Sequence, residues 1–375
     1  MQSNEQKRQW FLPPYAWVLF GIAALSLVIY IIAIISPVFA AGFNGSVGAF
    51  VRRVLAAVTS PLPFSLAEIL IYSIPLILIA VGIYAWRRHC DTWGAMLRYL
   101  LSLVSVISLL FSLFVFSFGT GYHTETLDRR MGLTVGAVTA EELRQTAESL
   151  VAAIAVNAAE VTFREDGFSV MPYELDAMTE KLLEAYGAVS ADYPFIQSLN
   201  SRIKPVLASK AMSHTHITGV YTYYTGEANV NTHFPDYTLP FTAAHELAHQ
   251  RGIARENEAN FVAFLVSRAA RDPYIRYCAY LNMYEYVANA LYIADPEAYR
   301  AVAATLPESV KGELRAYAAF FADFSDSAIA DVSNAVNDAY LKLNGNEAGT
   351  ASYGLVVELA VAYHRAQRLS QDRVE

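Results

Sequence analysis

Two cysteines in 375 residues are too few for a disulfide framework. Charge is also scarce: 17% of the residues are charged, and the formal net charge is -8 at pH 7. A chain with no basic excess has little to offer a phosphate backbone, which argues against nucleic acid as a partner. There is no internal repeat and no low-complexity tract. Gly42, Gly45 and Gly48 cluster, but they follow an apolar run rather than a strand, so they make a poor phosphate-binding loop.

What the chain has in excess is apolar sequence. Hydrophobic residues make up 55% of it, and the surplus sits in the first third. Ala16 to Val38 carries no charge, nor does Ile69 to Trp86, which contains Pro75; Tyr99 to Phe118 is a third such run. Each spans roughly 30 Å as a helix, the thickness of the hydrocarbon layer, and no polar face interrupts them. We therefore expect three transmembrane helices, at about 16–38, 69–86 and 99–118, in a multi-pass protein of the cell membrane whose first partner is the lipid bilayer. Lys7, Arg8, Arg87, Arg88 and Arg98 flank one side, against Arg52 and Arg53 on the other. The positive-inside rule then puts everything after Phe118 outside the cytoplasm. Val38 to Ala40, VFA, has the look of a signal-peptidase site, but the run before it is longer than a usual signal core. On this topology Cys90 and Cys278 lie on opposite sides and cannot pair. The first loop reads as a short interfacial helix with Arg52 and Arg53 at the headgroups.

Residues 1–118 thus form a membrane domain, and 119–375 a domain large enough for its own core. The latter reads as α+β and mainly helical. Helical spacing covers Ala140 to Val161, Tyr173 to Tyr186, Arg255 to Ala270, Tyr274 to Ile293, Ser309 to Phe324, Ala328 to Leu343 and Leu355 to Arg368. The β signal is ITGVYTYYTGEANVN, Ile217 to Asn231, rich in β-branched and aromatic residues. Tyr277, Tyr280 and Tyr284 form a stripe better read as core packing than as function.

The chemistry is concentrated in HELAHQRGIARENEANF, His245 to Phe261. On a helix, residues four apart share a face, so His245 and His249 aim two imidazoles at one spot. Glu246 lies on the adjoining edge, where it can reach a metal-bound water without ligating the metal. A catalytic zinc site takes three protein ligands and leaves a position for water, so a third ligand is required. Gly252 can end the helix in a left-handed conformation and turn the chain back. Two carboxylates then offer themselves, Glu256 and Glu258. Glu256 shares a face with Asn260 and the small Ala259 and Ala263, whereas Glu258 points elsewhere, so Glu256 is the favoured ligand and Glu258 the second candidate. Asn260 is placed to accept the free ring N–H of a ligating histidine, His245 above all.

ExxAN after HExxH resembles the ExxAD or ExxAN of glutamate-type zincin peptidases, in which the first Glu binds zinc. The wider run resembles the bacterial membrane-protein family known as domain of unknown function 3810, through YTYYTGEANVN, LPFTAAHELAHQRG, ENEANF and SYGLVVEL together with the apolar runs before them. That resemblance implies a membrane-tethered, zincin-like domain and brings no established substrate. Six residues separate His249 from Glu256, a shorter insertion than glutamate-type zincins usually have, and Arg255 stands where a metzincin would place a third histidine.

The expectation is a membrane-anchored zinc metallopeptidase with one Zn2+ per chain, Glu246 as general base, and a peptide or protein substrate. The rivals are a zinc hydrolase acting on a non-peptide envelope substrate and a zinc-stabilised binding module. Val220 to Asn231 is the natural edge strand for a substrate, and Tyr353 and His364 are candidates for stabilising the transition state.

Overall fold

The computed structural model describes residues 11–88, 91–324, 327–343 and 353–371. Its first third is helical: α1 (Pro14–Ile35), α2 (Pro37–Phe43), α3 (Ala49–Thr59), α4 (Leu66–Arg88) and α5 (Trp93–Ser117). Among these, α1, α4 and α5 are long and apolar enough to cross a membrane. The first run breaks at Ser36, whose extended backbone starts a new helix: Pro37 takes its first position, and the Ser36 hydroxyl accepts the Phe39 N–H. α1 packs along α5, and the Tyr99 hydroxyl of α5 donates to the Val81 carbonyl of α4. Outside those contacts the three helices expose apolar side chains, such as Leu76 and Val104. Cys90 lies outside the described residues, and Cys278 is a buried free thiol.

The segment between α1 and α4 corrects one expectation. Arg53 is exposed, but Arg52 is turned inward and fully buried. Its guanidinium donates to Asn44 Oδ1 at 2.8 Å, to the Asn44 carbonyl at 2.9 Å, to the Ser117 carbonyl at 2.6 Å and to the Arg251 carbonyl at 3.4 Å. Ala49 and Ala56 on the same face of α3 are small enough to let this approach happen. Phe50, Val54 and Val58 face outward.

Beyond α5 come α6 (Leu127–Met131), α7 (Ala140–Ala158), α8 (Leu175–Asp192), β1 (Ile203–Pro205), α9 (Ser209–Ser213), β2 (Gly219–Thr222), β3 (Glu227–Val230), α10 (Leu239–Gln250), α11 (Glu256–Ala269), α12 (Pro273–Ala294), α13 (Pro296–Ala304), α14 (Glu308–Ala322), α15 (Ala328–Leu343) and α16 (Tyr353–Gln371). The run expected as one strand is a hairpin, because the chain turns at 223–226, where the Thr225 and Gly226 N–H groups both return to the Thr222 carbonyl. Neither β1 nor α13 was anticipated.

The sheet order is β1-β3-β2, with β1 parallel and β2 antiparallel to β3. β3 is buried along its length, and α10 packs across β3 and β2. α11 lies between α10, α8, α12 and α16, and α12 runs along α7. Leu247, Phe261, Tyr277 and Leu281 are among the side chains of the resulting core, and Tyr284 joins them.

β2 has a free edge. The Asn231 N–H donates to the Thr218 carbonyl, so in this antiparallel pair the residues facing β3 alternate as Thr218, Val220 and Thr222. The backbone groups of Gly219 and Tyr221 point the other way.

Buried charges tie this domain to the apolar helices. Glu227 of β3 accepts the Leu66 and Ala67 N–H groups at the start of α4, at 3.0 and 2.8 Å. Glu68, on α4, accepts the Leu207 and Ala208 N–H groups. Lys204 of β1 donates to the carbonyls of Thr59, the last residue of α3, and of Ser60 and Leu62 just beyond it. The 37–65 segment and the later domain therefore sit at the same end of α1, α4 and α5.

Candidate metal centre

α10 holds its residues from several sides. The Tyr186 hydroxyl donates to the Ala244 carbonyl, Arg251 stacks on the Tyr186 ring at 3.9 Å, and Gln250 donates to the Gly226 carbonyl while accepting from Ser201. At its C-terminus the Gly252 N–H bonds the His249 carbonyl and the Ile253 N–H bonds the Ala248 carbonyl, the paired bonds of a Schellman turn. Gly252 sits at φ +87°, and a Cβ there would lie 2.6 Å from the Arg52 guanidinium. Left-handed geometry and lack of space both require glycine at this point. The turn sends the chain straight into α11, which is how six residues suffice to bring Glu256 back to the histidines.

The Glu256 carboxylate faces both imidazoles: Oε2 is 3.2 Å from His245 Nε2, and Oε1 is 3.4 Å from His249 Nε2. Ligand atoms of the three residues all lie within 4.8 Å of one another. His249 Nδ1 is 2.7 Å from the Ile253 carbonyl, an acceptor only, so Nδ1 carries a proton. His249 Nε2 then either presents a lone pair towards a carboxylate or is itself protonated. The first arrangement calls for a cation between them; the second is an imidazolium–carboxylate pair. Burial by itself would lower the His249 pKa, but the adjacent Glu256 reverses this and carries it up to about 9. Burial likewise pushes the Glu256 pKa up, and His249 and His245 more than offset it, holding the carboxyl well below its ordinary range. Two neutral imidazoles and a carboxylate, one of them with its tautomer fixed by a backbone acceptor, make a donor set that fits zinc.

Glu246 is buried at 5% exposure. Burial raises its pKa, while the two histidines and the Tyr221 backbone N–H draw it back. It lies against the free edge of β2: a Cβ on Gly219 would be 2.7 Å from Glu246 Oε1. Only glycine lets strand and carboxylate approach this closely.

The structure separates the two candidate carboxylates. Glu258 accepts from the Leu127 N–H at 2.9 Å and pairs with Arg255 at 2.8 Å, facing away from the histidines. Arg255 in turn donates to the Tyr122 and Thr124 carbonyls, so it braces the wall of the site. Asn260 does not play the part expected of it. No hydrogen bond joins it to His245; His245 Nδ1 and Asn260 Nδ2 are both buried without a protein partner. The backbone carbonyl of Ile253 supplies the acceptor role instead, and to the other histidine. His364 lines a separate cavity with Thr146, Arg268 and Tyr363, shared with none of the three clustered residues. The Tyr353 side chain lies outside what is described.

Several contributors escaped the sequence reading. Phe118, directly after α5, presents its ring to His249 at 5.7 Å and 84°. Asn44 donates to the Gly252 carbonyl at 3.0 Å, beside the Arg52 contacts. The one available signal was Gly219 within a β-rich stretch, since an isolated strand glycine often marks a close approach.

These features define a class: a mainly helical protein with three apolar N-terminal helices and a partly buried His–His–Glu cluster beside a small sheet. Residues 43–361 match the family described as Protein of unknown function (DUF3810), and the chain belongs to it. The match includes the Asn44–Arg52 segment as well as the cluster. No curated protein and no solved structure matches the chain.

Proposed function

We propose that this protein is a membrane-anchored, zincin-like zinc peptidase. The observation that carries this reading is the convergence of His245, His249 and Glu256 beside the buried Glu246, which itself borders the free edge of a strand. His245, His249 and Glu256 would hold one zinc ion. Zinc bound there would lower the pKa of a water towards roughly 7 and polarise the scissile carbonyl.

The residues of the chain do the rest. A peptide extended along β2 pairs with the Gly219 N–H and carbonyl and with the Tyr221 carbonyl, the Tyr221 N–H being held by Glu246, as in other cases of strand addition. Glu246, adjoining that edge, accepts the proton of the attacking water and passes it to the leaving amine. Its raised pKa suits a group that must both take and give a proton. A site that only held the fold together would have no use for such a carboxylate.

Three spans support the membrane anchor. An odd number of crossings requires the 37–65 segment and the later domain to share a side, and they pack on each other through Arg52, Lys204, Glu68 and Glu227. With Arg52 consumed inside the protein, Arg53 is the first loop's exposed arginine, which strengthens the positive-inside assignment of an outward-facing domain.

The test compares His249→Ala with Glu246→Gln in zinc content and in cleavage of a peptide library. Glu246→Gln is expected to keep its zinc while losing about 100- to 10,000-fold in rate. His249→Ala is expected to lose both. Wild-type protein that retains zinc but cuts no peptide would favour a binding module or a non-peptide substrate; wild-type protein that binds no zinc would end the proposal.

A further inference from the structure

The metal centre stands at the ends of the apolar helices rather than at a distance from them. Phe118, which touches His249, is the residue after α5. The carbonyls that close the α10 turn, Arg251 and Gly252, are taken by Arg52 and Asn44 from the segment between α1 and α4. β3, the neighbour of the free-edged β2, caps the first turn of α4 through Glu227.

α3 adds an independent sign. It buries Arg52 and Thr59, leaves Phe50 68%, Val54 45% and Val58 67% exposed, and keeps the exposed Arg53 for the headgroups. A helix in water does the reverse; charge inward and apolar residues outward suit a lipid interface continuous with α1, α4 and α5. α5 is about 37 Å long at 1.5 Å per residue, against about 30 Å of hydrocarbon, so its end reaches the headgroup layer. His249, one aromatic ring away, is then roughly 10–20 Å from the hydrocarbon, about 5–8 Å of it being the headgroup layer itself.

We propose that the substrate is a polypeptide anchored in the same bilayer, cut about three to six residues from where it leaves the lipid, the distance an extended chain covers at about 3.3 Å per residue. This rests on the peptidase reading above. The choice of polypeptide over lipid comes from β2: with the Tyr221 N–H held by Glu246, its outer edge keeps the Gly219 N–H and the Gly219 and Tyr221 carbonyls, a donor and acceptors that an extended main chain can match and an acyl chain cannot. The reaction is hydrolysis of the amide. The C–N bond breaks, the water oxygen joins the carbonyl carbon, and the proton held by Glu246 goes to the departing nitrogen.

The full-length, zinc-loaded protein is reconstituted in phosphatidylethanolamine–phosphatidylglycerol vesicles. The probes are peptides with one transmembrane leader followed by a 30-residue library segment (about 100 Å extended), and the same segment without its leader. Scission sites are mapped by mass spectrometry. We expect cuts clustered about three to six residues from the leader, at least about tenfold faster than in the free segment because tethering raises effective concentration. When the segment is shifted outward by a spacer, the cut should stay at its distance from the lipid rather than follow its sequence. Val54→Ser, on the outer face of α3, should slow cleavage of the anchored probe and spare the free one.

Equal cutting of free and anchored probes, or cuts that follow sequence into the spacer series, overturns the inference and leaves the peptidase standing. Glu246-dependent release of fatty acid or headgroup overturns the choice of polypeptide. Zinc-loaded protein that cuts neither probe nor any library peptide removes the peptidase reading, and this inference with it.

Discussion

Glu246 and Glu313 are both buried carboxylates on helices, and the molecule treats them in opposite ways. Glu313, on α14, is fully buried and accepts the Ser169 N–H at 2.8 Å, the Ser169 hydroxyl and the Tyr277 hydroxyl. Burial raises its pKa and those donors pull it down. Glu246 has the same burial but shares its surroundings with the paired histidines and, on the side of β2, a single backbone N–H. A carboxylate whose oxygens are all engaged by the fold has no capacity left for a substrate. On the proposed reading, one left under-satisfied beside the partly accessible His245 and Glu256 is free to take a proton.

The sharpest way to break that comparison is to exchange the two outcomes. Glu313→Ala leaves the Ser169 N–H and the Tyr277 hydroxyl buried without their acceptor and opens a cavity. It is expected to cost about 3 kcal/mol of stability, read by denaturant or thermal unfolding, while the protein that remains folded keeps its rate. Glu246→Gln should do the reverse and shift stability by no more than about 1 kcal/mol. If Glu246→Gln destabilised the protein as much as Glu313→Ala, Glu246 would be part of the fold and its assignment as a base would fall.

Arg52 is a different kind of buried charge, facing carbonyls and an amide rather than a carboxylate. Burial lowers its pKa to about 10, which still leaves it cationic at neutral pH. Arg52→Ala strands the carbonyls of Ser117 and Arg251 and frees the turn that leads from His249 to Glu256. A loss of about 2 kcal/mol is expected in detergent, with faster zinc release as its companion. Unchanged zinc release would show that the membrane segment and the centre are neighbours without being coupled.

What could be read in advance follows the range of the interaction. The HExxH helix and the apolar spans were legible because helical periodicity and hydrocarbon thickness act over a few turns of contiguous chain. Gly252 was legible because a left-handed turn is a local demand. The latches between Glu227 and Ala67, Lys204 and Thr59, or Arg52 and Arg251 join residues 145 to 199 positions apart. Nothing near any of these residues announces its partner. β1, three residues long, is a strand only because β3 lies beside it. Glu256 was preferred over Glu258 on helical phase alone; the fate of Glu258, bound to Leu127 and Arg255, depended on chain far upstream.

A smaller effect concerns pH. In zinc-free protein the His249 pKa is about 9, against 6.5 when unfolded. A raised pKa contributes stability that is complete below the unfolded value and lost as pH climbs through the folded one. Glu256 is depressed, so its share is present above its unfolded value of 4.5 and lost only in strong acid. Chelator-treated protein should therefore melt at a lower temperature at pH 9 than at pH 6.5. Zinc bound as proposed would replace the proton on His249 Nε2, so loaded protein should show less of that decline, and zinc uptake within this window should release a proton measurable by calorimetry in buffers of different ionisation enthalpy. Identical melting curves with and without chelator across the window would mean that no metal occupies the cluster.

The smallest effect separates a contact expected from sequence from one the structure makes. Had Asn260 accepted the His245 ring N–H, Asn260→Ala would weaken zinc binding about 10- to 100-fold, as loss of an outer-shell partner does. The Asn260 amide nitrogen has no protein partner, and no bond reaches His245 from it. Replacing it by alanine removes a buried, unpaired N–H, so the desolvation it relieves offsets the packing it loses. Zinc affinity should change less than about threefold and stability by less than about 1 kcal/mol. The matching change at the acceptor that is used cannot be made on a backbone carbonyl, but Gly252→Ala reaches it: forcing φ +87° on alanine beside Arg52 displaces the turn that carries Ile253 to His249. That variant should lose far more zinc affinity than Asn260→Ala. If the order were reversed, the orientation of the histidines would be set from α11 and not from the turn.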